Sequence, residues 1–462
     1  MPRLRVFLSA LIAAASTGCV TYRAKPLDPV ASQAQLESRR LDEAGLRRFL
    51  AAHGQPVVEQ WDLSRLTLAA FYFNPEIEVA RAQVEEAEAG IRTAEAKPNP
   101  TFAFTPGRSD DTTGGLTPWI LGYALNLPLE LAGKRAHRTA EAQRRAERAR
   151  LGLAARAWSV HSGVRRALID LEVAEAESGI GQDHVPLVAQ SARILAAQVA
   201  AGDGSPQEAA AARVVAARAE LALRAGERAV SQARSRLAEA IGVPLAALAG
   251  LRFSYAGILD TRPPLAPQEA RAWAAQNRAD LLMALSAYAV AQSALQSEVA
   301  RQYPDLTLGP GYQLDQGEGK WSLGLGVTLP VFHLNQGPIA AAEARRAGAA
   351  AQFLAVQNRI LAEVDRASAD YSSASAELET VRTLRAALER QITLLRSRQE
   401  AGDSSRLDLL RAEIEKVDHV RAALAVRQRA LHALGALEDA VQRPLAWPES
   451  AWRAPARLSE AR

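Results

Sequence analysis

Cysteine is nearly absent: Cys19 is the single one in 462 residues. That excludes a disulfide framework and any cysteine-based metal site. Aromatic residues are scarce, at 5%, although hydrophobic residues make up 48%, so Ala, Leu and Val carry the apolar content. With abundant Arg, Glu and Gln, this is the alphabet of long helices rather than of two or three globular domains. A charge excess is missing too. The 55 basic and 51 acidic groups leave +4, and they alternate along helix faces, as from Ala140 to Arg150, which reads as solvated surface and not as a nucleic-acid footprint. No run of about 18 apolar residues follows the N-terminus, so any membrane crossing must be made by strands. The histidines (His53, His137, His161, His184, His333, His419 and His432) are scattered without an i, i+4 pair, and no metal site is expected. Nucleophile elbows, phosphate-binding glycine loops and supported catalytic carboxylate pairs are lacking, so neither a cofactor nor enzymatic activity is expected.

What is present begins at the N-terminus. Arg3 and Arg5 precede an apolar run from Val6 to Ala15, then Ser16, Thr17, Gly18 and Cys19. This reads as a signal peptide over 1–18 with cleavage before a lipid-modified Cys19, although Ser16 stands where Leu is usual. Residue 20 is Val rather than an Asp that would retain a lipoprotein at the inner membrane, so the expected location is the outer membrane.

The rest is a duplication. Asn74-Pro75-Glu76-Ile77 corresponds to Arg278-Ala279-Asp280-Leu281, and Asn126-Leu127-Pro128-Leu129 to Thr328-Leu329-Pro330-Val331. Val164, Arg166, Ala167 and Asp170 correspond to Val364, Arg366, Ala367 and Asp370, and Ala201-Gly202-Asp203 to Ala401-Gly402-Asp403. The units span 66–246 and 270–446, joined by a linker at 247–269, preceded by a segment at 19–65 and followed by a tail at 447–462. Each reads as a helix (about 66–97 and 267–302), two short strands, a very long helix (about 131–200 and 336–400) and a shorter helix (about 205–241 and 405–441). The first and last helices together match the long one, which predicts that they stack end to end beside it.

Between the helices the period changes to two. Trp321, Leu323, Leu325 and Val327 fall on one face of a strand at about 320–330, and Leu306 and Leu308 on one face of its partner at about 305–313. In the first copy Phe102 and Phe104 (about 101–106) join Trp119, Leu121, Tyr123 and Leu125 (about 117–128). The opposite faces are small and polar. Strands of this length cross a tilted path through a bilayer, with an apolar face to lipid and a polar face to water, and Trp119 and Trp321 sit where interfacial girdles belong. Four strands leave open edges, which are intolerable in lipid. Copies must therefore associate, and three give a lumen where two give too little interior.

The duplicated order of helix, hairpin, long helix and helix resembles the TolC family of outer-membrane efflux proteins over roughly residues 60 to 446. The residues that carry the resemblance are the Asn74-Pro75-Glu76-Ile77 start, the strand-ending Pro128 and Pro330, and the helix-turn tips at Gly202 and Gly402. Leu131-Ala132-Gly133-Lys134-Arg135 and Asn335-Gln336-Gly337 further resemble the CzcC-like branch, the outer components of heavy-metal efflux systems. The resemblance implies a mainly α fold with a small β portion: an α-helical tube and a homotrimeric transmembrane β-barrel of about 12 strands. It implies a passive conduit that partners with a periplasmic adaptor and an inner-membrane RND-type pump. Multidrug export and type I secretion are the alternatives within channels. A lipid-anchored periplasmic coiled-coil scaffold is the alternative outside them.

The tips are the sites the resemblance singles out. Gly202, Asp203, Ser205 and Glu208, with Gly402, Asp403, Ser405 and Asp408, would edge the periplasmic aperture and meet the adaptor. Ser205 with Glu208, and Ser405 with Asp408, also have capping-box spacing. Arg411 stands where some members carry a second carboxylate.

Overall fold

Two long stretches dominated by helix-forming residues, the first tolerating an internal Pro186 and the second opening with Pro338 in its first turn, make the longest elements among the described residues. In this computed structural model, which describes residues 20–56, 59–111, 113–258 and 266–444, they are α5 (Lys134–Ala200) and α9 (Gln336–Glu400). At 67 residues α5 extends about 100 Å. Cys19, the signal segment and the 447–462 tail lie outside the described residues.

The described residues from Val20 to Arg40 belong to a unit of their own. Its helix α1 (Pro29–Glu37) is capped by the Asp28 carboxylate, which accepts from the backbone N–H of Val30 at 2.9 Å, and it buries none of its residues.

In the second unit, helices α2 (Ala44–Ala52), α3 (Leu63–Phe73), α4 (Pro75–Glu95), α6 (Pro206–Ile241), α7 (Pro267–Asn277), α8 (Ala279–Ala300) and α10 (Arg406–Val441) surround the long pair. Next to the sheet the lateral order is α4, α5, α8, α9; towards the tips it is α6, α5, α10, α9. The short helices thus stack end to end beside the long ones, as the matched lengths predict. Among the described residues the layer is open at both sides. Along these sides α9 exposes Leu354, Leu361 and Leu394, while α6 exposes Val214, Val215 and Leu221.

Halfway along the layer, small elements cover one face. Leu46 and Leu50 of α2, Leu66, Phe71 and Phe73 of α3 pack on Val164, Leu168 and Leu171 of α5 and on Leu237 and Ile241 of α6. Strand β1 (Gln60–Trp61) pairs in parallel with β4 (Arg252–Phe253). The stretch at 247–269, read from sequence as a linker, thus contributes a strand, and its Leu248 and Ile258 are buried. In the second copy Ala270 and Ala274 of α7 cover Val364 and Tyr371 of α9. Beneath α3 the His161 imidazole accepts or donates one hydrogen bond with Thr67 at 3.1 Å, and burial pushes its pKa down to about 3, so it stays neutral.

One expectation needs correction: the first helix of each copy is not continuous. It breaks at Asn74 and at Arg278, both extended in backbone, so 66–97 becomes α3 and α4 and 267–302 becomes α7 and α8. The cause is the seam where the last helix of each copy meets the first. In copy one Asn74 accepts from the N–H of Glu76 and donates to the Ala240 carbonyl at 3.1 Å, with Pro75 at the first helical position. Gly242 makes room: it has φ of +87°, and a Cβ there would lie 3.0 Å from Asn74 Cα and Phe73 O. In copy two the Gln442 side chain crosses the seam to accept from the N–H of Ala279 at 2.7 Å. Gly242→Ala therefore combines left-handed strain with a backbone clash, and a loss of about 1–3 kcal/mol is expected in thermal or denaturant unfolding.

Candidate functional site: a one-sided sheet on a helical layer

Four strands form the antiparallel sheet in the order β2 (Thr101–Arg108), β3 (Trp119–Leu129), β5 (Leu306–Asp315), β6 (Glu318–Val327). The bounds differ from the sequence reading by one to three residues. β6 ends at Val327 rather than near 330, and β2 reaches Arg108, because the register pairs Arg108 with Trp119 and Leu306 with Val327. The β5–β6 turn is a two-residue one, with Gln316 and Gly317 at φ of 51° and 103°, matching strand twist.

Register decides which residues share a face, because directly paired residues of antiparallel strands point the same way. Phe102 pairs with Leu125, Phe104 with Tyr123, Leu121 with Leu314, Tyr123 with Tyr312, Leu306 with Val327, Leu308 with Leu325 and Tyr312 with Trp321. All twelve apolar strand residues named from the sequence therefore lie on one face. The face extends beyond these twelve, since Leu127, which continues the alternation of β3, and Pro106, Leu129, Pro310, Tyr312 and Leu314 join it. Ring contacts run across it, Phe104 against Tyr123 at 5.1 Å and Tyr312 against Trp321 at 4.8 Å between centroids. The face is uncovered: Trp321 is 84% exposed, Leu323 70% and Leu325 67%.

The opposite face carries Thr101, Ala103, Thr105, Gly107, Gly122, Ala124, Asn126, Pro128, Thr307, Gly309, Gly311, Ser322, Gly324 and Gly326, with the larger Ile120, Gln313, Asp315, Glu318 and Lys320 gathered at the end of the turns. Small residues here are a packing requirement, since a Cβ on Gly311 would meet the Ser322 hydroxyl at 2.7 Å. Both outer strands, β2 and β6, have a partner on one side only among the described residues.

Sheet and helices join at a charged cleft of about 680 Å³ between α5, α8 and α9. Asp305 accepts from the Lys134 ammonium at 2.8 Å and from the N–H of Leu131. Arg138 donates to Glu130 at 2.6 Å and to the Ala94 carbonyl. This explains the Leu131-to-Arg135 motif: Ala132 and Gly133 turn the chain with φ of 55° and 70°, and Lys134 then starts α5 against Asp305. Asn335 does the same in copy two, at φ of 58°, with its amide on Glu298. Sequence reasoning found the motifs but not their carboxylate partners. The signal was there in Glu130 and Asp305, single acids just beyond strand ends.

At the far end, the two tips are built alike. Gly202 and Gly402 are left-handed, at φ of 86° and 81°, and the N–H of Asp203 and Asp403 donates to the carbonyls of Gln198 and Arg398. Ser405 and Asp408 form the full capping box, and the serine hydroxyl and N–H beside Asp408 hold its carboxyl below the usual range. The first tip departs from expectation. Ser205 accepts from the N–H of Glu208 at 3.4 Å, but no reciprocal bond forms, so the box is half made. Arg411 lies 3.9 Å from Asp408. Another link between the copies lies near the tips, where Arg406 of α10 donates to Gln190 of α5.

A buried network missed by the sequence reading ties α10 to α5 at mid-length. Arg165, 4% exposed, donates to Glu438 at 2.7 Å and to the Gly435 carbonyl at 2.7 Å, and lies 2.8 Å from Asp439. Trp158 and Ser162 also donate to Asp439. Among the described residues no group of three or more His, Cys, Asp or Glu is placed to hold a metal ion, and no helix is long and apolar enough to cross a membrane.

Comparison with known proteins agrees with this architecture. The chain is 27% identical over 366 residues to the cobalt-zinc-cadmium resistance protein CzcC of Cupriavidus metallidurans, covering 78% of this chain and 84% of that protein. Among solved structures it is similar to the outer membrane protein VceC of Vibrio cholerae (20% identity, TM-score 0.67, 82% of this chain and 95% of that one). It is similar also to CusC (18% identity, TM-score 0.67, 83% and 92%), whose structures are described in terms of transmembrane channel formation. The description "outer membrane efflux protein" matches residues 70–243 and 272–441, both copies of the duplication. The chain belongs to the outer membrane efflux protein family.

Proposed function

We propose that the protein is the outer-membrane channel of a tripartite efflux system, a passive homotrimeric conduit for heavy-metal cations. The observation that carries this reading is the sheet: one exposed apolar face, one small polar face and two half-paired edges. In lipid each unpaired backbone group costs several kcal/mol. Pairing β2 of one copy with β6 of the next removes both edges, and three copies close a barrel of about 12 strands around a water-filled lumen. The helical layer repeats the logic, because α9 of one copy can cover the exposed side of α4 and α6 of the next. On this reading Phe102, Phe104, Trp119, Leu121, Tyr123, Leu125, Leu306, Leu308, Trp321, Leu323, Leu325 and Val327 face lipid, and Cys19 anchors the chain to the same membrane.

The tips, on this reading, reach into the periplasm, where Gly202, Asp203, Ser205, Glu208, Gly402, Asp403, Ser405, Asp408 and Arg411 edge the closed aperture and receive the adaptor, itself coupled to an RND-type pump. Asp408→Ala removes both the cap and a fixed charge there. A raised leak conductance of the isolated channel in bilayers is expected, and unchanged conductance would remove Asp408 from gating.

The metal cargo is supported by the likeness to CzcC and by the junction motifs at Leu131 to Arg135 and Asn335 to Gly337. A strain lacking the protein should lose tolerance to zinc, cobalt or cadmium. A strain still tolerant of these metals but sensitised to dyes or antibiotics would point to multidrug export instead.

A further inference from the structure

The duplication repeats one charged pattern that the conduit reading leaves unused: Arg166 and Asp170 on α5, and Arg366 and Asp370 on α9. Their direction follows from two independent relations. First, Val164 and Val364 sit in the cores beneath α3 and α7. A residue two positions on points about 200° away on a helix, so Arg166 and Arg366 face away from those covering elements, and both are exposed. Three copies of the covering elements would not fit inside a tube whose opposite helix axes lie roughly 40 Å apart, which leaves them on the outside and the arginines inside.

Second, the cleft at the sheet junction is lined by Glu130 and Asp305, each one residue beyond an outward-facing Leu129 or Leu306, and hence on the side of the small polar face. Arg145 and Arg345 line that cleft, and Arg166 and Arg366 follow them by 21 residues each. Three heptads change the direction on a helix by about 60° at most. Arg166 and Arg366 therefore continue the wall that starts at the polar face of the sheet. They meet in one cleft of about 450 Å³ together with Asp370, Arg278, Glu363 and Asp439; Glu363 is paired with Arg278 at 2.7 Å and Asp439 with Arg165 at 2.8 Å, which leaves Arg166, Arg366 and Asp370 as its unpaired charges among the described residues. Asp170 is engaged, accepting from His432 at 2.9 Å. Among the described residues Arg166 and Arg366 have no ion-pair partner within 4 Å.

We propose that Arg166 and Arg366 form a guanidinium belt on the luminal wall at mid-tube, which attracts small anions, with the carboxylates of Asp170 and Asp370 one helical turn nearer the tips. The proposal rests on the trimeric conduit reading. Rings of fixed charge set the local concentration of mobile ions within about 8 Å at physiological salt. A bare cation leaving the carboxylates meets a repulsive ring, whereas a cation accompanied by its anion does not. The belt thus favours cargo that travels with a counter-ion.

The test uses thiol chemistry on the assembled full-length protein, in which Cys19 is the natural cysteine. R166C and R366C trimers, reconstituted in planar bilayers, are treated from the extracellular side with small anionic and cationic methanethiosulfonates. Conductance should change with either reagent. The anionic one should react at least about threefold faster, because the untouched arginine of each pair still attracts it. That preference should vanish in R166C/R366Q and R366C/R166Q. Trimers that conduct but whose introduced thiols do not react, or react at equal rates with both reagents, would overturn the belt while leaving the conduit intact. Failure to form conducting trimers with the unsubstituted chain would sink the conduit reading itself.

Discussion

Leu325→Arg should abolish the membrane-inserted trimer, while Gly326→Arg, one residue further on, should leave it assembled. Leu325 stands on the uncovered apolar face, paired with Leu308. An arginine pointing into lipid costs up to about 2–4 kcal/mol per chain at mid-depth and less towards the strand ends; Leu325 is the third residue from the end of β6, and symmetry imposes the cost in every copy at once. Gly326 lies on the small polar face, where an added Cβ meets Thr307 Cβ at an ordinary 3.6 Å. There a guanidinium remains in water and alters conductance instead of assembly. Heat-modifiable mobility on gels of outer-membrane fractions reads the first effect and bilayer recording the second. Two variants with equal loss of trimer would mean that the faces are not differently solvated.

The second large effect is expected at Arg165. Removing it takes a charged donor away from the Glu438 carboxylate, 7% exposed, and from the Gly435 carbonyl. Breaking a buried pair from one side typically costs 3–5 kcal/mol, so Arg165→Ala should unfold the α5–α10 contact well below the temperature of the unsubstituted protein. Arg165→Met with Glu438→Gln removes the buried pair, leaves Asp439 to its donors Trp158 and Ser162, and should recover most of the loss. If the single variant matches the unsubstituted protein in thermal unfolding, the network has no structural weight.

Much of this fold was legible because duplication repeats each signal. Alternation in Trp321 to Val327 gave a strand and its face, and matched lengths gave the stacking of short helices on long ones. The hidden parts share a physical cause: they depend on partners distant in sequence. The break at Asn74 carries a local mark in Asn-Pro, but the one at Arg278 does not. There the capping group is Gln442, supplied from another helix. Tyr312 and Leu314 escaped notice because Gly309, Pro310 and Gly311 blur the period of β5, and only its register with β3 restores it. Arg165 reads as one more charge on a charged helix. It is buried because Gly435, whose absent side chain leaves the guanidinium 3.0 Å from the site of a Cβ, lets α10 come close.

The candidate site divides in the same way. The sheet face was readable from residue order, since successive side chains of a strand alternate between its two faces. The charge pairs that fix the sheet to the tube, Lys134 with Asp305 and Arg138 with Glu130, were not, because opposite charges are common on helices and their pairing is set by tertiary geometry. At the tips, equal spacing of Ser205 to Glu208 and Ser405 to Asp408 suggested equal caps. Only the second closes on both sides, where the shorter aspartate reaches back to the serine N–H at 3.2 Å.

The most direct test of the account is the number of chains in the particle extracted from the outer membrane, measured by native mass spectrometry in detergent. The account predicts three chains, held together until heated. A monodisperse single chain, with Leu323 and Leu325 shielded from lipid-soluble probes, would contradict it.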